Sequence, residues 1–164
     1  MASDNSDEHL CIDLSSAKAT LEDEGSDTQK VLEVLQGIGS ATISDKGRCS
    51  IVREGVVPSV IQVMLRRPSE TAICEAGCFV FEGLLIDRKK SQFFATTKSF
   101  SYTTPSLFFP SHLVEVQPYL RKCGINDCMS KLLELNIQDP AACLACLKII
   151  FSQTMNGILI NTPF

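Results

Sequence analysis

Thr28–Asp45, TQKVLEVLQGIGSATISD, can be laid over Glu70–Asp87, ETAICEAGCFVFEGLLID, without a gap. At this offset of 42 residues Val31 meets Ile73, Leu32 meets Cys74, Val34 meets Ala76, Ile38 meets Val80 and Asp45 meets Asp87. The correspondence runs on from Asp45–Val52 into Asp87–Phe94, where acid, bases and then two apolar residues fall in register. There it jumps. Glu54-Gly55-Val56 finds its counterpart in Cys123-Gly124-Ile125, an offset of 69 that also pairs Val60 with Met129, Val63 with Leu132, Ala72 with Ala141 and Cys74 with Cys143. The difference, 27 residues, reads as an insertion over residues 95–121. A self-similar period of this size marks a repeat architecture, in which units that cannot bury their apolar faces alone stack on one another.

The unit is a short basic helix, a Gly, an apolar helix, a polar break and a longer apolar helix. Gly55 and Gly124 suit the left-handed position at a helix C-terminus, where a residue without Cβ is least strained. Pro58 follows in the first turn of the next helix, where a missing N–H loses no bond. Val57, Val60, Ile61, Met64 and Leu65 fall at helical spacing. Ser69 and Asp139 stand just before the third helices as candidate caps, with Pro140 in the first turn. Ala72, Ala76, Val80 and Leu84 give the third helix an apolar stripe that starts with small residues, which allows close helix packing.

Two stretches, Ile51-Val52-Arg53-Glu54-Gly55-Val56-Val57-Pro58-Ser59-Val60 and Ala76-Gly77-Cys78-Phe79-Val80-Phe81-Glu82-Gly83-Leu84, resemble the first-to-second helix junction and the third helix of the armadillo repeat. The resemblance covers roughly residues 28–94 and 122–156. It implies an all-α fold, a short right-handed α-solenoid of three-helix units that binds a protein or peptide segment along its third helices. Many members of that family hold the ligand with Trp and Asn on this helix. Those positions fall here at Phe79 and Gly83, at Gly37 and Ala41 one unit earlier, and near Lys148 and Ser152 one unit later. The chain has no Trp at all, so the basic-peptide binding of nuclear-import receptors is not expected. Glu75, Phe79, Glu82 and Lys148 are the candidate partner-binding residues of the third-helix face.

Composition narrows the function further. The 164 residues suit one domain. A net charge of −4 argues against a nucleic-acid binder, and no run is long and apolar enough to span a bilayer. The charge is uneven: residues 1–28 carry −7 and residues 29–164 carry +3. Acidic, Ser-rich and poor in large apolar side chains, residues 1–26 read as a disordered tail. Residues 27–94 then hold a partial and a first repeat, and residues 122–164 a second repeat with an apolar tail. No secretory signal opens the chain, so a cytoplasmic or nuclear location is expected.

Eight cysteines raise the question of a metal. Cys143 and Cys146 lie on an apolar helix, and Cys74 and Cys143 take equivalent places beside Ala76 and Ala145. Such thiols read as small buried apolar groups rather than ligands or disulfides; His9 and His112 are too remote to complete a zinc set. No phosphate loop, G-x-S-x-G or Cys–His pair is present, and Gly37-Ile38-Gly39 lies inside a helical pattern. No enzyme activity and no cofactor are expected. Lys46 and Arg48, with Arg88, Lys89 and Lys90 at the matching place, would form a basic ridge on the first helices.

The span Phe93–Tyr119 holds seven of the eleven Phe and Tyr residues, and Pro105, Pro110 and Pro118 are expected to break any helix in it. It reads either as a surface loop whose Phe108-Phe109 docks on something, or as non-coding sequence carried in by an error in the gene model. The end Gly157-Ile158-Leu159-Ile160-Asn161-Thr162-Pro163-Phe164 is apolar rather than a polar cap. An uncapped end of this kind folds over itself, pairs with a second copy, or belongs to a longer array. The expectation is a non-enzymatic interaction or scaffold module. The alternatives are a structural or regulatory subunit of a larger enzyme, and a fragment without function of its own.

Overall fold

The structure, a computed structural model, describes residues 13–85 and 111–161, with side chains over 13–85 and 116–154. The described residues are all-α and contain no strand. Their helices are α1 (Leu14–Glu22), α2 (Thr28–Ala41), α3 (Asp45–Arg53), α4 (Val56–Arg66), α5 (Thr71–Leu85), α6 (Ser111–Lys122), α7 (Ile125–Leu135) and α8 (Pro140–Asn161). None is long and apolar enough to cross a membrane.

Local chemistry sets the limits. Gly55 and Gly124 stand before α4 and α7 with φ of 65° and 83°, a left-handed conformation that any Cβ would strain. Asp13 caps α1 by accepting from the Ser15 N–H at 3.0 Å, and Ser44 caps α3 by accepting from Gly47 N–H at 3.0 Å. Asp139 accepts from the Ala141 and Ala142 N–H groups at 3.0 and 3.2 Å, ahead of Pro140. Ser69 is not the matching cap. α5 starts at Thr71, and Glu70 holds the place before it. Counted from their first residues, Thr28 and Thr71, α2 and α5 are 43 residues apart, one more than the sequence offset.

The helices pack in rows. α2, α5 and α8 lie side by side, α1, α4 and α7 form a second row, and α3 meets α6. The first row is parallel, because it touches at both ends. Near the start of α2 the Thr28 hydroxyl donates to Glu70 Oε2 at 2.9 Å. Near its end, Thr42 abuts Gly83. One step on, the Thr71 hydroxyl donates to Asp139 Oδ2 at 2.9 Å. The same pairing of hydroxyl and carboxylate thus recurs between successive helices of the row.

Burial follows the same order. α5 is buried on two faces, one with Ile73, Gly77, Val80 and Leu84, the other with Cys74, Cys78, Phe81 and Leu85. In the 43-residue register, Val31, Leu35 and Ile38 of α2 are buried counterparts of the Cys74 face. α8 buries Ala142, Cys146 and Ile149, counterparts of the Ile73 face at 69 residues. The Ile73 face therefore points back along the row and the Cys74 face points forward.

Two expectations need correction. Residues 13–26 are not a disordered tail: α1 is a helix whose Ala17 and Leu21 are 4% and 0% exposed against α4. Leu14, Ala17 and Leu21 fall at helical spacing, and Arg66 and Arg67 of the α4 end satisfy the Leu21, Glu22 and Ser26 carbonyls. Residues 1–12 lie outside the described residues. Nor is the whole of residues 95–121 irregular. Residues 111–121 belong to α6, which runs through Pro118 and buries Val116 and Leu120. Proline in a helix removes one hydrogen bond, but here it sits on the exposed side and burial of its neighbours outweighs the loss. α6 leads into α7 through Gly124 as α3 leads into α4 through Gly55, so a full helix of 12 residues precedes α7. Asp87–Phe94 and residues 95–110 lie outside the described residues.

Candidate functional site

The third-helix face is built by α2, α5 and α8. Phe79 is 52% exposed although it is a large aromatic residue in mid-helix. Its ring lies on α2, where a Cβ added to Gly39 would come within 2.6 Å of Phe79 Cδ1. Glycine at 39 is what lets the ring lie there. Glu75 is exposed one turn earlier on α5. Glu82 is half-buried, with its Oε1 4.0 Å from Lys148 Nζ on α8. Of the four residues expected here, the structure pairs Glu82 with Lys148 and places Phe79 across the α2–α5 boundary.

Gly83, the position where the armadillo resemblance would expect Asn, has no room for a side chain. A Cβ on Gly83 would meet Thr42 Oγ1 at 1.9 Å, so an amide side chain there would have to displace Thr42, which is itself buried. What remains is an aromatic platform flanked by Glu75 and by the Glu82–Lys148 pair. Glu33, exposed on α2, adds a further acid.

The basic ridge is corrected as well. Arg48 is 3% exposed. It donates through Nη1 to the Thr42 carbonyl at 3.0 Å and pairs through Nη2 with Asp45. It is a strut of the α2–α3 turn and presents no charge to a partner. Lys46 is exposed. Arg88, Lys89 and Lys90 lie outside the described residues.

The cysteines divide by place. Cys74 donates its thiol to the Pro68 carbonyl at 3.6 Å, and Cys143 does the same to Asn136 at 3.2 Å. These equivalent thiols latch α5 and α8 to the turns before them. Cys78, Cys128 and Cys146 are buried where α5, α7 and α8 meet, and Cys78 donates to Met129 Sδ at 3.9 Å. A hydrogen bond with Cys146, together with burial, holds the Cys78 thiol far above its ordinary value. Burial pushes Cys74 up to about 11 and Cys128 up to about 12. Protonated thiols of this kind are poor nucleophiles and poor ligands. Among the described residues, no group of three or more His, Cys, Asp or Glu is placed to hold a metal ion.

Two features went unread in the sequence. The rungs Thr28–Glu70 and Thr71–Asp139 were hidden because their partners are far apart in the chain. A comparison at the 69-residue offset would also have shown Leu144 and Phe151 standing where the previous unit has Glu75 and Glu82. Compared with protein-family models, curated proteins and solved structures, the chain matches none.

Proposed function

We propose that the chain is a short armadillo-type α-solenoid that acts as a non-enzymatic interaction module in the cytoplasm or nucleus. It binds a protein or peptide segment across α2, α5 and α8. The observation that carries this reading is Phe79, an aromatic ring 52% exposed and seated on Gly39 between neighbouring helices. Aromatic side chains of this kind dominate binding energy where a partner covers them. Two further features support the repeat reading: the recurring hydroxyl–carboxylate rung, and the matching limits of α4 and α7, 69 residues apart.

The test is capture of cellular partners by the full chain, with a photo-reactive residue in place of Glu75 to mark contacts at the face. Phe79→Ala lowers the crosslinked yield by about tenfold or more, with an unchanged circular dichroism spectrum. Gln62→Ala, exposed on α4, leaves the yield as it is. If Phe79→Ala captures the same partner at the same yield, this face is not the binding surface.

A further inference from the structure

Large apolar side chains stand exposed at the α7–α8 end: Leu135 at 54%, Ile137 at 73%, Leu144 at 56%, Leu147 at 52% and Phe151 at 65%. Sixty-nine residues earlier, the counterparts of Leu135, Leu144 and Phe151 are Arg66, Glu75 and Glu82. That unit folds with charges at all three places. Apolar residues at 135, 144 and 151 therefore answer to a contact outside their own unit. The counterpart of Leu147 is Cys78, on the face of α5 that the following helix buries.

Leu144, Leu147 and Phe151 are separated by three and four residues. At about 100° per residue they form one stripe, opposite the Ala142, Cys146 and Ile149 face that packs on α5. This is the spacing of a seam between two paired helices.

Two observations identify what covers it. Lys148 is the only charged residue among the 22 of α8, and it lies against Glu82. The one charge that a two-fold pairing brings toward its own copy is thus already countered by a carboxylate within its chain. An antiparallel crossing centred between Leu147 and Lys148 sets Leu144 against Phe151 of the partner subunit, and Phe151 against the partner's Leu144. The stripe is thus its own complement under a two-fold axis. A further stacked unit fits less well. The rung between third helices needs a hydroxyl at the first helical residue, supplied by Thr28 and Thr71, and α8 has Pro140 there.

We propose that the Leu144–Leu147–Phe151 stripe of α8 is the seam of a two-fold homodimer in which two copies of the chain pair antiparallel through this helix. Leu144 and Phe151 continue on α8 the face that carries Glu75 and Glu82 on α5, but Phe79 lies over Gly39 of α2 and is no part of the stripe, so Phe79→Ala leaves the dimer intact and the two readings fail separately.

The test is sedimentation equilibrium of the full chain from low to high micromolar concentration. The wild type sediments at twice 18.0 kDa. L144E/F151E, which carries the residue types of the preceding unit at both places, keeps its helix content and sediments as an 18.0 kDa monomer. L144E/F151K regains the dimer, because position 144 faces position 151 across the axis and the charges are then opposite. The proposal is overturned by a monomeric wild type, which points to a different protein or to the chain's own apolar end as the occupant. A mass that climbs beyond the dimer overturns it too, since that is head-to-tail stacking. So does an L144E/F151E variant that stays dimeric, or two double variants that behave alike.

Discussion

Arg48 illustrates how a side chain's neighbours, rather than its charge, decide its role. In the sequence it belongs to a row of bases with Lys46, Arg88, Lys89 and Lys90. In the structure its guanidinium turns inward, because Asp45 three residues earlier and the Thr42 carbonyl both need a donor at the tight turn between α2 and α3. Thr42 is 2% exposed, so water does not replace the bond. Arg48→Ala is expected to lower stability by about 1–3 kcal/mol, the cost of a buried acceptor left without its donor. Urea unfolding checks this: the midpoint falls while the slope stays the same. A slope and midpoint equal to the wild type would mean that the turn holds without the strut. Nothing local separates Arg48 from Lys46 except the spacing to Asp45, and that spacing is common on solvated helices too.

At the level of helices, the legible elements were those bounded by residues with one physical meaning. Gly55 and Gly124 adopt the left-handed geometry that glycine favours, so the starts of α4 and α7 were readable to within a residue. α1 and α6 were not. The composition of residues 1–26 is dominated by acids, and three apolar residues among them carry the helix only because α4 supplies a surface to bury them. Pro118 likewise argues against a helix that tertiary packing then imposes. α1 is therefore part of the fold, and Leu21→Ala is expected to cost about 2–5 kcal/mol, as for other fully buried leucines. A thermal melt reads this directly; a variant that melts with the wild type would show α1 to be a loose appendage. The same reasoning applies to the span first read as an insertion. A deletion of residues 95–121 would remove the buried Val116 and Leu120 and destabilise the chain.

For the molecule as a whole, the sequence conveyed the order of its parts better than the surfaces they would share. The row of α2, α5 and α8 follows from the offsets, whereas the meeting of Cys78, Cys128 and Cys146 depends on how three helices lean together. Of the buried thiols, Cys74 and Cys128 tie stability to alkaline pH. Cys74 and Cys128 ionise in the folded chain only near 11 and 12, against an ordinary 9.0. Because the unfolded chain loses its protons first, their contribution is intact below pH 9 and is lost as pH rises toward the folded values. The melting temperature should fall steeply above pH 9 and less steeply in a Cys74→Ala/Cys128→Ala variant; parallel curves would place the alkaline transition elsewhere.

The rungs between third helices also give the row a direction of growth. α2 and α5 each hand a hydroxyl forward, and α5 and α8 each receive one on the carboxylate before them. Asp27 holds the receiving place ahead of α2, and its side chain caps no N–H of that helix. A unit duplicated on that side finds an acceptor already in position. A unit added after α8 meets proline, which has no hydroxyl to hand on. The row is thus prepared for a bonded neighbour at its beginning, whereas a neighbour at its end would have to pack without this rung.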